Sequence, residues 1–289
     1  MNNSFNSHRF YNTLKLDIAT NWRRFSRIFF GELAGFLCMF LVFTLAMRGC
    51  EIKESFSDGI MGMTMMSYFV AFIFMGLSGV YMFNNMKTKQ DRISFLTLPA
   101  SNLEKFLSRY IMTTVGMIIS ILLALLIADL VRMLFGFIIG VHFVDSIFLR
   151  FLGIGWHYAL FDYYKMANSV AGVSYSFYIW LVIFIFTTVM AAHAEFMLGG
   201  TLFRKHPMLL TILSLVVIGS FQASIIPGSC WELIFLGMDR KPNTFEVFSY
   251  GNMFWTIVLP NIVITIFCYW ASYKLFCRSQ VISNKWINL

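Results

Sequence analysis

Charge is scarce in this chain: only 12% of its 289 residues are Asp, Glu, Lys or Arg, where a soluble domain carries roughly 25%. A globule dissolved in water is thereby excluded. Catalytic motifs are missing as well. There is no G-x-x-x-x-G-K-[ST] phosphate loop, so the chain lacks the usual cradle for a nucleotide. It also has no H-E-x-x-H zinc helix, no C-x-x-C pair and no G-x-S-x-G nucleophile elbow. No catalytic, cofactor-binding or metal-ligating residue is predicted, and the chain is not expected to be an enzyme. His193 and Glu195 come nearest, but two residues apart on a helix they face different directions and do not serve one metal. No cleavable signal peptide is expected, because the first apolar stretch follows about 27 polar and basic residues and is too long for such a segment. No fixed-period repeat, low-complexity tract or appended soluble domain is recognisable.

What the chain has in quantity is apolar surface: 58% of residues are hydrophobic and 18% aromatic. A bilayer's hydrocarbon core is about 30 Å thick, so a spanning helix needs about 20 mostly apolar residues. Six such stretches run from Ile28 to Met47, Ile60 to Phe83, Tyr110 to Leu130, Val173 to Leu198, Met208 to Ile226 and Met253 to Phe276. They predict an all-α, polytopic membrane protein. Residues 1–27 form an N-terminal interfacial segment, 28–276 a six-span transmembrane domain and 277–289 a tail.

Basic residues set the orientation, since Lys and Arg in short loops stay on the cytoplasmic side. The net charge is +8, and its distribution matters more than its sum. Arg9, Lys15, Arg23, Arg24 and Arg27 precede the first span. Lys87, Lys89, Arg92, Lys105 and Arg109 lie between the second and third, Arg204 and Lys205 between the fourth and fifth, and Lys274, Arg278 and Lys285 at the end. That side collects fifteen of the twenty-two basic residues, so both termini are predicted to be cytoplasmic. Cys38 and Cys268 fall within spans and Cys277 near the inner face. Cys50 and Cys230 fall outside. Those two form a disulfide only if the outer compartment is oxidising and their backbones meet; otherwise they are free thiols.

Residues 8 to 27 space Phe10, Leu14, Ile18, Trp22 and Phe25 as on one side of a helix, with Lys15, Arg23 and Arg24 on others. This predicts an amphipathic helix in the inner headgroup layer, or a surface helix packed on the membrane domain. Between spans two and three, Pro99 prevents a helix from running straight through. Ser101 and Glu104 then have capping-box spacing, which launches the third span from a fixed point. Ile93, Phe95, Leu96 and Leu98 beside Lys89, Asp91 and Arg92 suit a short amphipathic element ahead of it. The aromatic-rich segment 132–172 is expected to hold interfacial helices, and 228–252 a short helix dipping toward the bilayer. A charge at membrane depth costs at least about 2.5 to 3.5 kcal/mol, which singles out Glu32 and Glu195 as candidate intramembrane polar residues. They either face the bundle or a substrate path, or are shallow carboxylates paired with Arg27 or Arg204. Asp129 is expected to pair with Arg132 one turn on.

The run Leu98, Pro99, Ala100, Ser101, Asn102, Leu103, Glu104, Lys105 resembles the permease subunits of type 2 ABC exporters, which place a leucine-proline and then a serine before the third of six spans. Leu198 to Pro207 is similar to a stretch in uncharacterised permease-like proteins. The resemblance implies a bacterial inner-membrane exporter subunit. Its coupling helix within Lys89 to Lys105 would transmit closure of a separately encoded ABC ATPase, which binds the ATP. On that basis Arg92, Phe95, Leu98, Pro99, Ser101, Asn102, Glu104 and Lys105 form the ATPase-coupling loop. The implied partners are the ATPase, a second or related permease chain and membrane lipid, with no nucleic acid. The long segment at 132–172 departs from better-known members and leaves the substrate open. Two other classes stand beside this one: a secondary carrier, and an accessory or immunity-type membrane protein. Against the carrier, the spans lack paired intramembrane charges and helices broken at matching points, Pro260 being a lone exception.

Overall fold

The computed structural model describes residues 5–46, 53–83, 86, 89–140, 145–152, 175–203, 206–225 and 258–278. They are built from α-helices: α1 Ser7–Ala46, α2 Lys53–Val80, α3 Lys89–Leu96, α4 Asn102–Ile138, α5 Ile147–Phe151, α6 Tyr175–Leu202, α7 Pro207–Ile225 and α8 Leu259–Cys277. Among the described residues three helices are long and apolar enough to cross a membrane: α1, the Gly62–Val80 part of α2, and α4. Cys50, Cys230, Arg204 and the segments 153–172 and 228–252, for which expectations were stated, lie outside the described residues.

Two helices exceed the stretches expected from hydropathy. No break separates an interfacial helix from a first span, because Ser7–Ala46 is one uninterrupted element. No proline interrupts that run, and Gly31 and Gly35 within it each weaken a helix by only about 1 kcal/mol. Asn6 starts it, its side-chain oxygen accepting from the His8 and Arg9 amides at 2.9 and 3.2 Å, which satisfies two of the donors every helix start leaves over. Helix α4 has 37 residues, about 55 Å at 1.5 Å per residue, so it is longer than a hydrocarbon core of about 30 Å. Its polar start, Asn102–Arg109, and residues 131–138 beyond the expected run are both helical. Helix α2 ends at Val80, three residues short of the expected Phe83.

The chain divides into two compact units, Met1–Ser78 with Pro99–Ala159, and Gly79–Leu98 with Leu160–Leu289. In the first, α1 packs along α4 around a core that includes Phe36, Phe40, Met117, Ala124, Leu125 and Ile147. Tyr68 of α2 stacks on Phe151 of α5 at 4.4 Å and donates its hydroxyl to the Phe151 carbonyl at 2.7 Å. In the second unit α8 packs along α6, and α7 lies beside α6. There a Cβ on Gly199 would collide with the Thr211 side chain, and one on Gly200 with the Val80 backbone. The glycine pair therefore lets α7 and the end of α2 approach α6 at backbone distance, the small-residue packing common between membrane helices.

Candidate functional site

Helix α3 is held by its one buried aromatic. Phe95 lies 6.2 Å from the Phe276 ring of α8, which stacks nearly parallel on Phe83 at 5.0 Å. Thr97 closes the helix, its hydroxyl and amide both donating to the Ile93 carbonyl at 2.7 and 3.0 Å. The chain then turns at Leu98 and Pro99 and enters α4 through the expected capping box. The Ser101 amide donates to Glu104 Oε2 at 2.8 Å, and the Glu104 amide donates to Ser101 Oγ at 3.2 Å.

Glu104 does more than cap its own helix. Its Oε1 accepts from the Asn6 amide at 2.8 Å and from Arg9 Nη2 at 2.9 Å, so one carboxylate ties the start of α4 to the start of α1. Burial alone would raise its pKa. The Ser101 and Asn6 amides and the Arg9 guanidinium outweigh that and hold it below the ordinary glutamate value. Further along, still ahead of the apolar run that opens at Tyr110, Arg109 Nη2 meets Asp17 Oδ1 at 2.7 Å. Ser108 donates to the other carboxylate oxygen at 3.2 Å. Asn21 Nδ2 bonds the Asp17 carbonyl at 2.9 Å. Burial pushes the Arg109 pKa down to about 10, with Asp17 opposing the shift. It raises that of Asp17 against the pull of Arg109 and Ser108.

The eight residues expected to form a coupling loop differ in exposure. Phe95, Glu104 and Lys105 are buried, Arg92, Leu98 and Ser101 are half-buried, and Pro99 and Asn102 face outward with Ile93 and Thr97. Glu32 is fully buried. Its partner is Ser120 of α4, which donates to Oε2 at 2.5 Å, while Oε1 has no hydrogen bond. Arg27 instead donates Nε to the Arg23 carbonyl at 3.3 Å, so the structure gives Glu32 its partner on α4 and not in Arg27. Glu195 is half-buried on α6. Its neighbour His193 is buried, with Nδ1 3.0 Å from the Tyr269 hydroxyl of α8.

Asp129 and Arg132 pair as expected, Nε to Oδ1 at 2.8 Å. Asp129 Oδ2 also accepts from Ser146 Oγ at 2.6 Å and from the Phe148 amide at 3.1 Å, which fixes the start of α5. The residues that sequence reasoning missed are Asn6, Asp17 and Ser108. The available signal was slight: Asp17 is the sole acid among the first 31 residues. Among the described residues no group of three or more His, Cys, Asp or Glu is placed to hold a metal.

Together these features define an all-helical protein with membrane-length apolar helices and, near the polar start of α4, a set of buried ionic contacts to α1. Comparison with protein-family models, with curated proteins and with solved structures finds no match for this chain.

Proposed function

We propose that this chain is the six-span permease subunit of an ABC-type exporter in a bacterial inner membrane, with both termini cytoplasmic and a separate ATPase as partner. The observation that carries this reading is the construction of the α3–α4 connection. A short helix with an outward face formed by Ile93 and Thr97 is followed by a proline turn and a doubly bonded cap. That cap begins a helix long enough to cross the membrane. The cap fixes the start of α4, the point at which a movement of the preceding loop would enter the spanning helix. The family resemblance of residues 98–105 supports the same reading, and a second permease chain would complete the substrate path. ATP chemistry belongs to the partner.

A secondary carrier is the second reading, favoured by the buried Glu32–Ser120 contact in the apolar part of the α1–α4 pair. One experiment separates them. The tagged chain is purified in mild detergent, co-purifying proteins are identified by mass spectrometry, and ATPase activity is assayed. A stoichiometric nucleotide-binding subunit that is lost from an Ile93→Asp/Asn102→Lys variant, with the chain still inserted, supports the exporter. A folded chain that comes down alone without ATPase activity overturns it. Uptake by liposomes holding this chain alone, abolished by Glu32→Gln, would then establish the carrier.

A further inference from the structure

Helix α1 wears its polar stripe on the inside. Thr13, Asp17 and Asn21 follow at intervals of four along one side and are buried, with Asp17 bonded to Arg109 and Ser108 of α4. Residues so spaced share a helix face. The opposite side carries Tyr11, Trp22 and Phe30, which are 62%, 65% and 64% exposed. Interleaved with them are Lys15, Arg23 and Arg27, all exposed. A water-facing helix would show the reverse arrangement, with aromatics buried and the Asp–Asn stripe outside.

Charge along this arc is uncompensated within its own segment. Asp17 is the lone acid among residues 1–31, and it is engaged by Arg109. Arg27 reaches only the neutral Arg23 carbonyl. The same helix continues without a break into the apolar run that ends at Ala46. Trp22, Arg23 and Arg27 lie within about 10 Å of the start of that run at 1.5 Å per residue and so fall at headgroup depth, where amphipathic rings and basic side chains are both favoured; Lys15 and Tyr11 stand further out.

We propose that the outward side of α1 at Trp22, with Arg23 and Arg27 beside it, is a binding surface for the headgroups of anionic phospholipids. The proposal rests on reading α1 as a membrane helix and is independent of any ATPase partner. A basic side chain near an anionic leaflet favours binding to that surface by about fivefold, so the two arginines together favour acidic over zwitterionic lipid.

The test uses the full chain reconstituted with brominated phosphatidylglycerol or brominated phosphatidylcholine at equal mole fraction, since bromine quenches only tryptophans it touches. The Trp22 contribution is isolated by subtraction of a Trp22→Phe variant, and Trp270, exposed on α8, stays as an internal reference. Trp22 is expected to be quenched several-fold more strongly by the glycerol lipid. That contrast should vanish in high salt and in the double variant Arg23→Gln/Arg27→Gln, while Trp270 is unchanged. Equal quenching of Trp22 by both lipids overturns the proposal. So does Trp22 that neither lipid reaches while the reference is quenched, which would mean that protein covers the arc. If no tryptophan is quenched, the membrane reading itself fails.

Discussion

Where α1 meets α4, the helices are joined by charges withdrawn from water, Arg109 on Asp17 and Arg9 on Glu104. Where α6 meets α7 and the end of α2, they are joined by missing side chains at Gly199 and Gly200. The first arrangement is directional: each carboxylate accepts from more than one partner, so register and rotation are both specified. The second is steric. It gains dispersion contact from a close approach but leaves rotation to the surrounding packing. Ionic contacts stand at the polar start of α4, ahead of Tyr110, where each buried carboxylate has a cationic partner. The glycine contact supplies cohesion where few polar partners are at hand. A unit locked by ion pairs resists sliding, which suits the element proposed here to transmit force.

Substitutions at the two kinds of contact test that contrast. The largest effect is expected for Arg109→Met, which strands the buried Asp17 carboxylate and should cost about 3 to 5 kcal/mol, read as a fall in Tm in detergent. Adding Asp17→Asn removes the stranded charge and should return most of the loss. If the double variant is no better than the single, the ion pair is not what joins α1 to α4. Asp129→Ala should cost a similar amount by stranding Arg132, but its effect should be confined to α5, with faster hydrogen exchange at Ile147–Phe151 and none at Asn6.

Gly200→Ala comes next, at about 1 to 3 kcal/mol, the usual cost of overpacking, because the added methyl meets the Val80 backbone and not a side chain that can swing away. Gly219→Ala is the control, since nothing lies within 4 Å of a Cβ there, and its Tm should not fall. Equal losses at the two glycines would remove the steric account. Glu104→Ala should cost about 0.5 to 2 kcal/mol and loosen the starts of both α1 and α4. The smallest effect is one of pH. The Glu104 pKa lies below the ordinary value of 4.5, so its contribution is complete above that value and is lost as pH falls through the lower, folded-state value. The Tm difference between wild type and Glu104→Gln should accordingly hold from pH 7 to about 5 and shrink below 4.5.

Local features proved legible. The Ser101–Glu104 cap, the break at Pro99 and the Asp129–Arg132 pair all have partners within four residues, and a helix brings such residues together whatever else the chain does. Glu104 was recognised as a cap residue but not as the anchor of Asn6 and Arg9, because that contact joins residues far apart in sequence. The amphipathic pattern of residues 8–27 was legible as a period but not as a direction. Phe10, Leu14, Ile18, Trp22 and Phe25 mark an apolar side, and hydropathy does not say whether it meets protein or lipid. The structure places Ile18 and Trp22 outside and Thr13, Asp17 and Asn21 inside. The Leu198–Pro207 stretch was noticed for its likeness to other chains, whereas the use of its glycines depends on Val80 and Thr211, which nothing in the stretch itself points to.

From the sequence by itself came the all-helical class, the membrane-length apolar runs and the capped start of α4. Each depends on composition or on neighbours within a few residues, and the energies involved are local. Tertiary structure alone decided which face of α1 is turned inward and which arginine neutralises Asp17. Those outcomes depend on pairs of groups distant in the chain. A buried charge is tolerable only where the fold delivers its counterpart, and that delivery is a property of the packed helices, not of either segment alone.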